Sequence, residues 1–252
     1  MSSDNLLFLA KNVSKRFGGL IALKDVTVFI PEDSLTLLIG PNGSGKTTFL
    51  QVASGVLRPD SGLLVFKGLN VTGLPPHVRF KLGVATTFQI PRLFPSLSVL
   101  ENVLVAARGV NETPLSCLRD VRVKERELIE KAFDVLKLLS LDHVWDKPAY
   151  TLSGGQMKLL ELARALMSDP KLLLLDEPLA GVNPALAGGI MQFLTKIRKE
   201  REVAMLLVEH RLDLALRYAD YVYVLHNGRV ISEGPPEAVV EDPAVAKAYL
   251  GE

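Results

Sequence analysis

Short runs rich in apolar residues recur along this chain, separated by polar or glycine-containing turns. Apolar runs of this length are typical of strands, and runs without polar alternation are typical of strands buried on both faces of a sheet. The predicted strands are residues 6–11, 22–30, 35–39, 62–67, 171–175, 205–208 and 221–225. The first, second and fourth of these are expected to form an N-terminal sheet.

Helical periodicity is clearest between residues 124 and 139. The apolar residues at helical spacing there are Leu128, Ala132, Val135, Leu136 and Leu139. Further helices are predicted at 47–54, directly after Ser153, and within the tail 231–252 at 236–241 and 244–250. The strand–helix alternation that resumes at residue 171 favours an α/β fold with a mostly parallel sheet.

A glycine-rich segment separates the strand 35–39 from the helix 47–54 and fits the P-loop pattern G-x-x-x-x-G-K-[ST]. Glycines let main-chain N–H groups point at phosphate oxygens, the lysine brings positive charge to them, and the threonine hydroxyl is placed to coordinate Mg²⁺. The predicted phosphate-binding residues are Gly40, Asn42, Gly43, Ser44, Gly45, Lys46, Thr47 and Thr48. The flanking strand and helix disfavour the alternative, a glycine-rich turn with a chance lysine.

Two carboxylates follow the apolar run 171–175. A strand that ends in this way beside a P-loop is the Walker-B arrangement. Asp176 is expected to hold Mg²⁺, and Glu177 is expected to act as the base for the attacking water. Without the P-loop, a buried strand followed by a solvated acidic turn would be a fair interpretation.

The pentapeptide Leu152-Ser153-Gly154-Gly155-Gln156 precedes a helical pattern. Ser153 is predicted to cap that helix, and the N–H groups at such a helix start form a second anion site. The sequence leaves open the alternative that this is an ordinary capped helix.

With these motifs in this order, the chain resembles the ATP-binding subunits of ABC transporters over nearly its whole length, and residues 152–156 match the family signature letter for letter. The resemblance implies an α/β fold: a P-loop NTPase (RecA-like) core of mostly parallel sheet with an N-terminal antiparallel β subdomain and an inserted α-helical subdomain. It implies a single ABC ATPase domain over 1–252, with the core at 1–88 and 166–252 and the helical subdomain at 89–165.

The resemblance also assigns roles by position. Ser153, Gly154, Gly155 and Gln156 would close over the ATP of a second, head-to-tail subunit. Gln89 resembles the glutamine that senses Mg²⁺ and the attacking water, and His210 resembles the switch histidine that contacts the γ-phosphate. Phe17 resembles the aromatic residue that stacks on adenine.

Alternatives exist at three positions. A lone histidine after a strand, like His210, is more often a surface residue than a catalytic one. Phe17 could instead fill the core of the N-terminal sheet. Asn183 departs from the aspartate that most of the family carries, which puts in doubt any role there that needs a carboxylate; an N-cap before Pro184 is its structural alternative.

The resemblance implies two transmembrane permease subunits, a second ATPase subunit and, indirectly, an extracytoplasmic binding protein. In the family, the proline-flanked apolar stretch 91–99 receives the membrane subunit, and Arg92 and Phe94 are favoured for that contact over filling the helical subdomain's own core. No segment approaches the length that crosses a bilayer, and residues 1–12 lack the features of a signal peptide. The predicted location is therefore the cytoplasmic face of the cell membrane.

Residues 17–23, 180–184, 208–210 and 248–252 resemble the branched-chain amino acid importers. The cargo assignment rests on that resemblance alone, because the ATPase never touches the cargo. The alternatives are a urea or short-chain amide importer, the lipopolysaccharide export ATPase, and a soluble iron–sulfur assembly ATPase.

Composition and charge argue against some functions and exclude an internal disulfide. The 252 residues are 48% hydrophobic, which allows a sizeable core, and the formal net charge of +1 gives no reason to expect nucleic-acid binding. Cys117 is the one cysteine, so no internal disulfide can form. A P-loop kinase or GTPase remains an alternative class, although neither class requires the pentapeptide.

Overall fold

The structure, a computed structural model, describes residues 5–87, 91–107 and 120–250. The strands in these ranges are β1 (Leu6–Phe17), β2 (Leu20–Pro31), β3 (Leu35–Ile39), β4 (Ser61–Phe66), β5 (Leu69–Asn70), β6 (Val84–Thr86), β7 (Leu172–Asp176), β8 (Ala204–Val208), β9 (Tyr221–His226) and β10 (Arg229–Gly234). The helices there are α1 (Lys46–Ser54), α2 (Pro76–Leu82), α3 (Val99–Leu104), α4 (Asp120–Leu138), α5 (Gly154–Met167), α6 (Pro184–Arg201), α7 (Leu212–Ala215), α8 (Pro236–Val240) and α9 (Pro243–Leu250).

The strands of the described residues form two sheets. The smaller sheet has the order β2-β1-β4-β5, and its pairings are antiparallel. The larger sheet has the order β10-β9-β3-β8-β7-β6; its pairings are parallel except that of β10 with β9. The α/β class, the antiparallel N-terminal sheet and the mostly parallel second sheet are therefore confirmed.

The three central strands of the larger sheet set the position of the functional segments. Every residue of β3, β7 and β8 is buried, as expected for unbroken apolar runs in a parallel sheet. Leu38 pairs with Val208, and Asp176 pairs with the same residue from the other side. The segments that follow these three strands thus emerge side by side at one edge of the sheet, where ligands bind in open α/β sheets.

The chain divides into two compact units, and the described residues of the first are 5–87, 171–180 and 194–250. This unit contains both sheets, and a continuous apolar core fills it, with Phe8, Phe49, Phe66 and Tyr223 among its large, almost fully buried side chains. The second unit includes 91–107, 120–170 and 181–193. Within it α3, α4 and α5 pack on one another through buried residues such as Val103, Val135 and Leu160. The predicted subdomain boundaries at 89 and 165 stay a prediction.

The C-terminal region corrects one expectation. Two helices were predicted in the tail 231–252, and α8 and α9 confirm them. Treating the residues from Ile231 as a tail is wrong, because β10 joins the edge of the larger sheet as a hairpin partner of β9. The turn is Asn227-Gly228, where both residues have positive φ (47° and 73°), the combination that a two-residue hairpin turn of type I′ requires.

Candidate nucleotide-binding and hydrolysis site

The P-loop runs from the end of β3 into α1, and two of its glycines have no room for a side chain. Gly40 (φ 148°) and Gly45 (φ 107°) adopt conformations that favour glycine. A Cβ on Gly40 would lie 2.0 Å from the carbonyl oxygen of Leu225, and one on Gly45 would lie 2.5 Å from that of Ala22. The loop therefore packs its main chain against two neighbouring segments, and other residues would displace it.

The start of α1 offers main-chain donors and positive charge together. Its N-cap, Gly45, makes no side-chain cap and its first turn carries no acidic residue. The Lys46 ammonium is almost fully buried and donates to the carbonyl oxygens of Gly40 (2.8 Å) and Pro41 (2.9 Å). An ammonium has three donors, so one N–H remains for a phosphate oxygen. Burial lowers the Lys46 pKa, and the charges of Glu177 and Asp176 partly restore it.

The other predicted phosphate-binding residues lie on the same loop and helix start. Asn42, Gly43 and Thr47 are exposed and Thr48 is half-buried. Ser44 is buried, and its hydroxyl has no hydrogen-bond partner. Buried hydroxyl groups are normally paired, so this oxygen lacks something that a bound ligand or water would supply.

Asp176 ends β7 with a carboxylate suited to a cation. The residue is 7% exposed, and its Oδ1 is buried without a hydrogen-bond partner. Burial raises the Asp176 pKa to about 6, the nearby Glu177 charge adds to that rise, and Lys46 and His210 oppose it. A buried and unpaired carboxylate oxygen beside a predicted phosphate site fits Mg²⁺, which takes one or two carboxylates together with phosphates.

Glu177 and His210, which follow adjacent strands, meet at the same edge of the sheet. Glu177 Oε1 lies 2.8 Å from His210 Nε2. The N–H of Glu177 donates to the Val208 carbonyl, and Glu177 has a left-handed φ of 48°, a conformation that costs a non-glycine residue about 1–3 kcal/mol. Sequence reasoning named both residues but missed their contact.

The signature residues lie in the second unit, at the start of α5. Ser153 Oγ accepts from the N–H of Gln156, and the Gln156 side chain accepts from the N–H of Ser153, which completes a capping box. The predicted N-cap is confirmed. The side chain of Gln156 is thereby used within its own helix.

The sequence matches a family model described as ABC transporter over residues 23–180, which is more than half of the chain. The chain belongs to the ABC transporter family. A second family model, described as branched-chain amino acid ATP-binding cassette transporter, matches residues 229–252. This ABC protein is accordingly a nucleotide-binding, ATP-hydrolysing enzyme. The kinase and GTPase alternatives are excluded.

Curated relatives cover nearly the whole ABC chain. The probable branched-chain amino acid transport ATP-binding protein LivG of Archaeoglobus fulgidus is 48% identical, over 96% of this chain and 94% of that protein. The high-affinity branched-chain amino acid transport ATP-binding protein BraF of Pseudomonas aeruginosa is 38% identical, over 95% of this chain and 96% of that protein. The chain is thus of the ABC ATPase type found among proteins named for branched-chain amino acid transport.

Solved ABC structures confirm the fold. A nucleotide-free ATP-binding cassette from an ABC transporter superposes with a TM-score of 0.86 at 40% identity, over 98% of this chain and 100% of that one. A dimeric structure of a bacterial ABC transporter cassette superposes with a TM-score of 0.78 at 28% identity, over 91% of this chain and 99% of that one. The P-loop NTPase fold predicted from the motifs is therefore confirmed.

Phe17 lies at the end of β1, apart from the core. It is 46% exposed, and the Lys15 ammonium lies 5.7 Å from its ring centroid. The alternative that Phe17 fills the core of the N-terminal sheet is therefore wrong, whereas its stacking on adenine stays a prediction. Gln89 lies outside the described residues.

Asn183 caps α6 in this ABC ATPase. Its Oδ1 accepts from the N–H of Leu186 at 2.9 Å, and Pro184 is the first helical residue. The structural role predicted for Asn183 is confirmed, and it needs no negative charge.

In the second unit, the loop before α3 presents the pair suggested for partner contact. The Phe94 side chain is exposed, and the Arg164 guanidinium stacks over its ring at 5.1 Å. The Arg92 carbonyl accepts from Arg164, and the buried Asn102 side chain bonds to the main chain of Phe94.

None of the helices in 5–87, 91–107 and 120–250 has both the length and the apolar character of a membrane span.

Two residues near the site were not predicted. The carboxylate of Glu209 is buried and accepts hydrogen bonds from the main-chain N–H groups of Leu179, two residues after Glu177, and of His210. Tyr249 in α9 lies beside the main chain of Gly40, and partial burial of its hydroxyl raises the Tyr249 pKa. An acidic residue directly after a fully apolar strand was the available signal for Glu209.

Proposed function

We propose that this chain is the ATP-hydrolysing subunit of an importer for branched-chain or other hydrophobic amino acids. The observation that carries the cargo assignment is the end-to-end similarity to proteins named for branched-chain amino acid transport, including the match of residues 229–252. Two transmembrane permease subunits, a second ATPase subunit and an extracytoplasmic binding protein complete the system. The chain works at the cytoplasmic face of the membrane.

The proposed chemistry starts from the P-loop. Main-chain N–H groups of the loop and the Lys46 ammonium bind the β and γ phosphates of ATP. Thr47, Asp176 and Gln89 would hold Mg²⁺, which would supply positive charge against the phosphate oxygens. Phe17 stacks on adenine. The unpaired Ser44 hydroxyl and Asp176 oxygen support this assignment, because each gains a partner when nucleotide and metal bind.

Glu177 acts as the general base. Its carboxylate accepts a proton from the attacking water, and His210 orients that carboxylate and contacts the γ-phosphate. The 2.8 Å contact between the two side chains supports this division of work. The signature of a second subunit, equivalent to Ser153, Gly154, Gly155 and Gln156, closes over the same ATP.

The test is transport by the assembled complex. The chain is tagged, its membrane and ATPase partners are co-purified from native membranes, and the complex is placed in vesicles with its binding protein. In complexes whose ATPase subunits face the vesicle interior, ATP enclosed there should drive uptake of labelled leucine. Complexes that carry Glu177→Gln should show no such uptake. Uptake of urea with no uptake of leucine, isoleucine or valine would overturn the cargo assignment, and recovery with soluble assembly factors alone would overturn the transport function.

A further inference from the structure

Glu209 is a buried acid at the edge of the sheet where hydrolysis is placed. It directly follows β8 and is 1% exposed. A carboxylate is costly to bury unless hydrogen bonds replace the water that it loses. Its partners therefore explain why it lies there.

The two carboxylate oxygens bond to two different loops. Oε1 accepts from the N–H of Leu179 at 2.7 Å, on the loop that follows β7 and carries Glu177. Oε2 accepts from the N–H of His210 at 3.0 Å and from that of Arg211 at 3.4 Å, on the loop that follows β8. One side chain thus connects the main chains of both loops.

Main-chain bonds around this bridge couple it to the catalytic side chains. Leu179 is fully buried, and it lies two residues after Glu177. The Glu177 N–H donates to the Val208 carbonyl, so the first loop is fixed at both Glu177 and Leu179. A shift of either loop would change the 2.8 Å separation between the Glu177 and His210 side chains.

We propose that Glu209 is a positioning residue for ATP hydrolysis, whose carboxylate holds the Glu177 loop and the His210 loop in register so that the two side chains stay in contact. Glu209 itself touches neither water nor phosphate in this role. The inference rests on the roles proposed above for Glu177 and His210.

The most direct variant is Glu209→Gln. Glutamine has nearly the same size but offers one acceptor oxygen, and its NH₂ group would face the N–H groups of one loop. The bridge is then broken on one side. Since misplacement of catalytic groups by about 1 Å can cost on the order of 100-fold in rate, we expect kcat to fall about 10- to 100-fold. The KM for ATP and the ATP dissociation constant should stay within about two-fold, because the P-loop is unchanged.

A double-mutant comparison separates positioning from general structural damage. If Glu209 acts through His210, then Glu209→Gln in a His210→Ala background should lower kcat by no more than about two-fold further. The matched control is Tyr223→Phe, which removes a partly buried hydrogen bond that the Phe29 N–H donates to the Tyr223 hydroxyl elsewhere in the same unit. That control should lower the melting temperature while kcat stays within about two-fold of wild type.

The experiment uses the full chain with Mg-ATP. A nucleotide titration gives the concentration of protein that binds ATP, and kcat is calculated from that concentration. A kcat of Glu209→Gln within two-fold of wild type, or multiplied losses in the double variant, would overturn the inference. If His210→Ala alone hydrolyses ATP normally, the proposed function of His210 fails instead, so the two failures are distinguishable. Should Glu209→Gln not fold, Glu209→Asp takes its place, since it keeps both oxygens but is too short by one methylene to bridge the loops.

Discussion

At the scale of single residues, the candidate site concentrates charge where little water can solvate it. Asp176, Lys46 and Glu209 are buried within the first unit. Asp176 has an oxygen without a partner, whereas Glu209 uses both of its oxygens on main-chain donors. Buried polar groups without partners destabilise a fold, so a ligand bound to Asp176 would offset the free-energy cost of its unpaired oxygen.

This cost predicts that Asp176→Asn stabilises the nucleotide-free protein. The Asp176 pKa is raised from 3.8 to about 6, so between these values the folded chain keeps a proton that the unfolded chain has lost. Stability of the wild type therefore falls as pH rises from about 4 to about 6. At pH 7 the variant should be more stable by roughly 3 kcal/mol, and near pH 4 the difference should fall to roughly 0.5 kcal/mol or less. Urea unfolding in EDTA at both pH values measures this.

Asp60→Asn serves as a control of opposite sign. The Lys15 side chain and the Arg16 main chain lower the Asp60 pKa, so its contribution to stability is present at neutral pH and is lost as pH falls through that lowered value. Asp60→Asn should therefore be less stable than wild type at pH 7. An Asp176→Asn variant that is no more stable than wild type at pH 7 would show that burial of the Asp176 carboxylate does not destabilise the fold.

At the scale of elements, α1 is held at its other end by a buried arginine. The guanidinium of Arg79, from α2, donates to the carbonyl oxygens of Val52 and Ala53 in the last turn of α1, both at 2.7 Å. It also donates to those of Leu74 (3.0 Å) and Thr72 (3.2 Å), and burial lowers its pKa to about 10. Positive charge at a helix C-terminus complements the helix dipole, so α1 is anchored opposite the P-loop.

Arg79→Met should destabilise the protein by about 3 kcal/mol or more, because several buried carbonyl groups would lose their donor. Chemical denaturation followed by circular dichroism measures the loss. Lys81→Met is the matched control on the same helix: Lys81 is exposed, so that change should stay within about 0.5 kcal/mol. Equal stabilities for the two variants would contradict the anchoring role of Arg79.

The same scale shows what the sequence could predict. The strands β3, β7 and β8 were predictable because each is an uninterrupted apolar run, and the P-loop followed from its glycine spacing. Strand β10 was missed because an edge strand is only partly buried and mixes polar with apolar residues, although Asn227-Gly228 signalled the hairpin. The contact of Glu177 with His210 depends on β7 pairing with β8 across 33 positions, which no local pattern encodes.

At the scale of the whole molecule, the site motifs divide between the two compact units. The P-loop, Asp176, Glu177 and His210 belong to the first, and the signature at Ser153 belongs to the second. The proposed function needs a second ATPase subunit, whose signature would cover the ATP bound here.

This pairing predicts that Glu177→Gln forms an ATP-dependent dimer. The variant should bind ATP without hydrolysing it, so the closed pair should persist in millimolar ATP and Mg²⁺, with twice the mass of one chain or with a co-purified second ATPase subunit. Light scattering measures the mass. The control is Glu177→Gln combined with Lys46→Ala. This double variant should remain monomeric because it lacks the positive charge that binds the phosphates of ATP. A Glu177→Gln chain that stays monomeric both alone and with the second subunit would contradict the pairing.

The central claim is that Glu177, beside His210 and the P-loop, is the base for ATP hydrolysis. The most direct test is the single-turnover rate of Mg-ATP hydrolysis by the wild-type chain and by Glu177→Gln, with ATP binding measured on the same samples. We expect hydrolysis to fall at least about 100-fold while the ATP dissociation constant changes by no more than about three-fold. Hydrolysis at the wild-type rate by Glu177→Gln would contradict the account.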